Sequence, residues 1–311
     1  MPAGTCCYYN LESAVPQTRE QRGRRIWLNL RINLSSIFEA YASKIDETGS
    51  DELPRTKADV NITIAYSLAS TGSILERMDL AANIASVRQR MAAACERAGR
   101  AANSVALLAV SKNHLPEMVS EAAKLGLTLF GENKVQEAKA KIPLCPGRLR
   151  WHMLGHLQTN KCRDAVELFE MIQSVDSFHL AEEINKRAEQ ASKTMPILLE
   201  VNAGGEASKF GYRPEQLLAD LPRINQLGRL EIHGLMTVPP WAPSPEKVRP
   251  IFRQLRELKA KCEEILGVPL QHLSMGMTGD FEVAIEEGAT IVRIGTALFG
   301  ERKKSANVAM Q

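Results

Sequence analysis

Residues 105–133 read VALLAVSKNHLPEMVSEAAKLGLTLFGEN. The run VALLAVSK (105–112) is apolar until it ends in Ser111 and Lys112. Pro116 then opens PEMVSEAAKLG, a helical pattern in which proline suits the first turn. A second apolar run, LTLFGEN (127–133), follows directly. Strand, helix, strand within so short a stretch is the unit of a parallel α/β fold.

Working outward, the alternation recurs along the chain. Further strand candidates are LRWHMLG (149–155), MIQSVDS (171–177), MPILLEVN (195–202), EIHGLMTV (231–238), PLQHLSMG (269–276) and TIVRIGTALFG (290–300). Helical patterns such as SFHLAEEINKRAEQA and PEKVRPIFRQLRELKAKCEEILG lie between them, the latter closing on Gly267. The strands are near-continuous apolar runs, as parallel strands buried on both faces require. Eight such units predict a closed (β/α)8 barrel, a TIM barrel, with a doubly wound sheet as the alternative. Upstream, MDLAANIASVRQRMAAACERAGR places Leu80, Ile84, Val87 and Met91 on one helical face and ends near Gly99.

Residues 1–77 read differently. Their apolar patches have no sustained period, and DETGSDELPRTKADV (46–60) has the composition of an exposed linker. Five arginines between Arg19 and Arg31 suggest a targeting segment, but Glu12 and Glu20 argue against a transit peptide. The reading is an irregular, disordered or non-native extension over 1–77 and a barrel over 78–311, with Met78 a natural start.

Composition narrows the function classes. With 311 residues, 44% hydrophobic and 24% charged, the chain has ample material for a core. A net charge of +3 gives no nucleic-acid footprint, and no apolar run approaches the ~20 residues of a membrane span. Six cysteines without a CxxC pair read as reduced thiols of a cytoplasmic protein. No histidine spacing makes a metal site, GGEASKFG lacks the end of a P-loop, and GxSxG is missing.

In a barrel of this type chemistry gathers at the C-terminal ends of the strands. The candidates there are Lys112, Glu132 and Asn133, His156, Glu200, His233, Ser274 to Gly276, and Arg293 to Thr296. Lys112 is the sharpest, because an amine delivered by an apolar strand to the barrel mouth is suited to imine formation. SMGMTGD and RIGTALFG follow strands seven and eight, whose loops often bind phosphate; Gly276, Gly279 and Gly295 allow close approach, and Ser274 and Thr296 offer hydroxyls. Arg293 shares one strand face with Gly295 and needs a buried partner, either a heteroaromatic nitrogen or a carboxylate.

Taken together and in order, AVSK, FGENKVQEAKAK, WHMLGHLQTNK, LEVN with KFG, HGLMT, LSMGMTGDFEVAIEEGAT and VRIGTALFG resemble the pyridoxal phosphate homeostasis protein family, single-barrel relatives of the alanine racemase N-terminal domain. The resemblance covers about Met78 to Lys303. It implies pyridoxal 5′-phosphate as cofactor, held as a Schiff base on Lys112. It further implies phosphate contacts from Ser274, Gly295 and Thr296 with backbone help at Met275 and Gly276, Asn133 near the ring, and Arg293 at the pyridine nitrogen.

An arginine there keeps the ring nitrogen unprotonated and weakens the electron sink. Racemases of this fold take a tyrosine from a separate C-terminal domain, whereas this chain ends just after strand eight, leaving Tyr212 or His156 as substitutes. The expectation is a monomeric protein that buffers the cofactor or delivers it to pyridoxal phosphate-requiring apoenzymes, with no catalytic residue assigned. The competing expectations are a single-barrel amino-acid racemase, an aldolase-type Schiff base on Lys112 in a barrel for another phosphorylated compound, and a scaffold without chemistry.

Overall fold

The computed structural model describes residues 79–206 and 210–300. The extension expected over 1–77 and its boundary lie outside the described residues. Eight strands form a closed barrel in sequence order: β1 Ala106–Val110, β2 Leu129–Glu132, β3 Arg150–Met153, β4 Met171–Val175, β5 Met195–Glu200, β6 Leu230–Met236, β7 His272–Ser274 and β8 Ile291–Ile294. Every pairing is parallel, and the ring shuts where Ala106–Ala109 of β1 pair with Ile291–Ile294 of β8. The closed barrel, not the doubly wound sheet, is the fold.

The helices form the outer layer. They are α1 over 79–97, α2 Pro116–Lys124, α3 Val135–Lys141, α4 Cys162–Leu168, α5 Phe178–Gln190, α6 Pro214–Asn225, α7 Arg249–Leu266, α8 Phe281–Glu286 and α9 Thr296–Phe299. Leu80, Ile84, Val87 and Met91 of α1 are buried in the main core, as their spacing predicts. Pro116 opens α2, and α7 ends on Gly267 in the left-handed conformation at φ 70°. One expectation is corrected here. TIVRIGTALFG is not a single strand: β8 stops at Ile294 and TALF turns into α9. An apolar run does not itself distinguish a buried strand from a buried helical turn.

Strand parity sorts the side chains into two sets. Ala109, Phe130, Trp151, Ile172, Leu199, Leu235, Leu273 and Val292 join the helices in one continuous core. Their neighbours form two small clusters inside the barrel: Leu108, Val110, Leu129 and Ile291 with Leu154, and Met171, Leu198 and Met236. The lumen is therefore packed at the level of these clusters, and polar groups fill the rest.

Candidate functional site at the C-terminal barrel face

Lys112 follows β1 on a turn, half-buried between Ser111, which is buried, and Asn113, which is exposed and adopts φ 63°. The Ser111 amide donates to the Gly131 carbonyl at 3.1 Å, extending the β1–β2 pairing up to the turn. Asn133 follows β2, and Gly155, just after β3, lies flat against its backbone. Any side chain at Gly155 would occupy the space of the Asn133 carbonyl, so this close approach requires glycine.

Ser274 and Arg293 meet inside the barrel. The Arg293 guanidinium is buried, with Nη1 donating to Ser274 Oγ and Nη2 to the Thr237 carbonyl, each at 2.7 Å. Ser274 Oγ lies 2.6 Å from Gln173 Oε1, and Gln173 Nε2 lies 2.8 Å from His152 Nδ1. Arginine can only donate, which fixes the direction of the whole chain. Ser274 must pass its proton toward Gln173 Oε1, the Gln173 amide must donate to His152, and His152 Nδ1 must be bare. Burial, then Arg150 and His272, push His152 down to about 3, which agrees with the neutral ring this chain demands.

The partner expected for Arg293 was a heteroaromatic nitrogen or a carboxylate. Its direct partners are instead a hydroxyl and a carbonyl, with the charges of Glu200 and Asp280 within electrostatic reach. Burial lowers Arg293 to about 10, which leaves it cationic at neutral pH. Glu200, buried at the end of β5, is pushed up to about 7 by burial and then Asp176, with Arg293 opposing.

These two shifts act on stability in opposite directions. Glu200 holds its proton more tightly when folded, so its contribution is full below its ordinary 4.5 and is lost as pH rises through about 7. His152 releases its proton when folded, so its contribution is full above its ordinary 6.5 and is lost as pH falls toward about 3. The slopes oppose each other between those ordinary values. In Glu200→Gln the first slope vanishes. Relative to the wild type, the variant should gain roughly 3 kcal/mol in unfolding free energy between pH 4.5 and 7, measured by urea titration across pH. A pH-independent difference would contradict the assignment.

The loops after β7 and β8 meet at one point, where the Ala297 amide donates to Thr278 Oγ1 at 3.3 Å. Gly279 and Thr296 are exposed there, while Gly295 packs against β1 so closely that a Cβ would lie 3.3 Å from the Val110 carbonyl. Met275 and Gly276 are set deeper. The Met275 amide is committed to the Ile291 carbonyl at 3.1 Å, and the Gly276 carbonyl accepts from the Arg293 amide at 2.9 Å. Gly276 has φ 95°, and a Cβ there would lie 2.6 Å from Ala284 Cβ, so its glycine serves packing against α8. Hydroxyls and glycines suited to an anion thus lie at 278–279 and 295–296, while the Met275 amide is taken up by β8.

Several strand-end residues fall elsewhere than expected. Glu132 and Ser111 point outward, bonded to each other and to Lys141 of α3. His233 lies low on β6, 3.2 Å from Glu231, not at the mouth. Tyr212 is buried in the main core, its hydroxyl without a hydrogen-bond partner among the described residues, and burial raises its pKa. His156 is at the mouth, with Nδ1 2.9 Å from Asp176 Oδ2 and its ring stacked on Phe210 at 3.7 Å. Gln173, His152 and Thr278 were not singled out from the sequence. Gln173 carried a usable signal, a polar residue inside an apolar strand, the same signal that marks Arg293. Among the described residues no cluster of three or more His, Cys, Asp or Glu could hold a metal ion, and no helix is long and apolar enough to cross a membrane.

The family described as alanine racemase, N-terminal domain, matches residues 79–303. A protein of Aquifex aeolicus named pyridoxal phosphate homeostasis protein is 47% identical over 227 residues, covering 73% of this chain and 100% of its own. This chain belongs to the pyridoxal phosphate homeostasis protein family. A Pseudomonas aeruginosa protein of the same name is 43% identical over 230 residues, 73% of this chain and 97% of its own. PipY of Synechococcus elongatus, solved with pyridoxal phosphate bound, is 39% identical with a TM-score of 0.63, covering 71% of this chain and all of that one. The family resemblance read from the motifs is thereby borne out.

Proposed function

We propose that this chain binds pyridoxal 5′-phosphate through the amine of Lys112 and buffers or delivers it within the cytoplasm, with little or no turnover. Membership of the family and the bound cofactor in PipY support the ligand. The observation in this chain that carries the reading is local: the turn bearing Lys112 shares one barrel end with the Thr278–Gly279 and Gly295–Thr296 loops, and the lumen holds a cationic Arg293. An amine, an anion-suited cup and a fixed donor are the three groups that an aldehyde, a phosphate and a ring nitrogen call for.

In this reading Lys112 supplies the covalent anchor and Asn133 lines the ring. Gly295 and Thr296, with Thr278, hold the phosphate, while Ser274, Met275 and Gly276 set the depth of that loop and the position of Arg293. When bound, the cofactor supplies an aldehyde for amines and a ring able to accept electrons. Arg293 has no acceptor to offer a protonated ring nitrogen, so the protein does not strengthen that electron sink. Tyr212 is sequestered in the core and does not serve as a second base. The functional unit is the barrel of 78–311 acting as a monomer, its recipients are pyridoxal phosphate-requiring apoenzymes, and the low net charge of +3 suits a protein without nucleic-acid partners.

Loaded protein, desalted and mixed with such an apoenzyme, should restore that enzyme's activity while losing its own visible absorbance. Incubated with L- and D-amino acids in deuterated water, it should leave optical activity unchanged. Sustained racemisation at ~1 s⁻¹ or faster, an enzyme's ordinary range, would overturn the reading.

A further inference from the structure

The turn that carries Lys112 is gripped on both sides by one buried ionic cluster. Lys141, at the end of α3, is buried, and its ammonium has three protons to donate. They go to the Ser111 carbonyl at 2.8 Å, Glu132 Oε1 at 2.7 Å and Glu137 Oε1 at 2.8 Å. Ser111 Oγ donates to the same Glu132 oxygen at 2.7 Å. On the far side of Lys112, the Asn113 amide donates to Glu137 Oε1. Both residues that flank Lys112 are therefore tied to one ammonium and its two carboxylates, and Asn113 is held at φ 63°, which non-glycine residues seldom adopt.

The geometry points to Glu137, Lys141 and Glu132 as positioning residues that fix the reach of the Lys112 amine. Lys141 and Glu132, both buried, would by themselves attach α3 to the barrel. Glu137 adds little burial, being partly exposed, and its one contact besides Lys141 among the hydrogen bonds described is the Asn113 amide. Its carboxylate joins the helix to the turn. A surrounding network that fixes one backbone conformation is a common way to aim a functional side chain.

This inference rests on Lys112 being the cofactor-bearing amine, so the test includes a measurement that needs no cofactor. The variants are Glu137→Ala, which removes the acceptor for the Asn113 amide and for one Lys141 proton, and Glu137→Gln, which retains an oxygen there. Both leave Lys141 bonded to Glu132 and Ser111. In each full-length protein, acetylation of individual lysines by acetic anhydride is followed by mass spectrometry, with the exposed Lys186 as internal reference. In parallel, the rate at which added pyridoxal phosphate becomes fixed on Lys112 is measured by borohydride trapping.

Glu137→Ala should raise the relative acetylation of Lys112 about fivefold, the weight of the Asn113 hydrogen bond that holds the turn, and should slow cofactor capture by about the same factor. Glu137→Gln should restore both to within about twofold of wild type. Opposite movement of the two rates is not expected from general loosening of the fold, which would also raise the acetylation of Lys193, whose amine is bonded to the Val166 and Phe169 carbonyls. Equal Lys112 acetylation in all three proteins would overturn the inference, whatever happens to thermal stability. A wild type that is acetylated at Lys112 but captures no cofactor would refute the proposed function, while the acetylation series would still decide the role of Glu137.

Discussion

Arg293→Leu is expected to lower folding stability by ~1–3 kcal/mol, the usual cost of leaving buried hydrogen-bond acceptors without their donor. The guanidinium is buried in the barrel and supports groups from three directions: Ser274 on β7, the Thr237 carbonyl after β6, and the charge of Glu200 at the end of β5. Leucine fills part of the volume and supplies none of the donors. The Thr237 carbonyl loses its Arg293 partner, and Glu200 loses its opposing cation. A shift in urea midpoint with an unchanged slope would measure the loss as stability alone.

The same variant has a second, spectroscopic consequence. Arg293 alone gives direction to the chain through Ser274, Gln173 and His152. Without it the Ser274 hydroxyl is free to rotate and the Gln173 amide free to flip. In the wild type, nitrogen chemical shifts should show His152 Nδ1 bare and Nε2 protonated. In Arg293→Leu the two tautomers should mix. A wild-type ring with the proton on Nδ1 would contradict the chain's direction, and a variant within ~0.5 kcal/mol of wild type would contradict its energetic weight.

Much of this architecture was legible in the chain because βα units repeat and their apolar runs are short. Lys112 and Arg293 stood out for one reason, a cation adjoining or inside a strand that otherwise faces apolar neighbours. Glu132 is a strand-end candidate by the same reading, yet the structure turns it away from the mouth. Parallel strands buried on both faces are apolar throughout, so nothing in LTLFGEN tells whether Glu132 or Asn133 faces the mouth. The period of two allows one of them, and the structure gives Glu132 to Lys141.

The lumen chain was hidden for a different reason. Gln173 and Ser274 are 101 residues apart, and closure of the barrel brings them together across its axis. No local pattern encodes that contact. Thr278 and Ser274 are alike in sequence, because hydroxyls on a loop look the same until the backbone shows which are buried. Ser274 is wholly buried and committed, whereas Thr278 reaches the start of α9.

Lys112→Ala should abolish covalent retention of pyridoxal phosphate, the largest functional effect expected of any single substitution. The turn keeps its anchors in this variant, the Ser111 hydroxyl and carbonyl and the Asn113 amide. Retained far-ultraviolet dichroism and urea midpoint would show that any loss is local.

The decisive measurement is a single comparison of full-length wild type and Lys112→Ala, each incubated with pyridoxal phosphate, reduced with borohydride, desalted and digested for peptide mass spectrometry. The wild type should carry a pyridoxyl group on Lys112, and the variant should carry no stoichiometric label anywhere. A wild type labelled at another lysine, or a variant that still retains one equivalent of cofactor, would contradict Lys112 as the anchor.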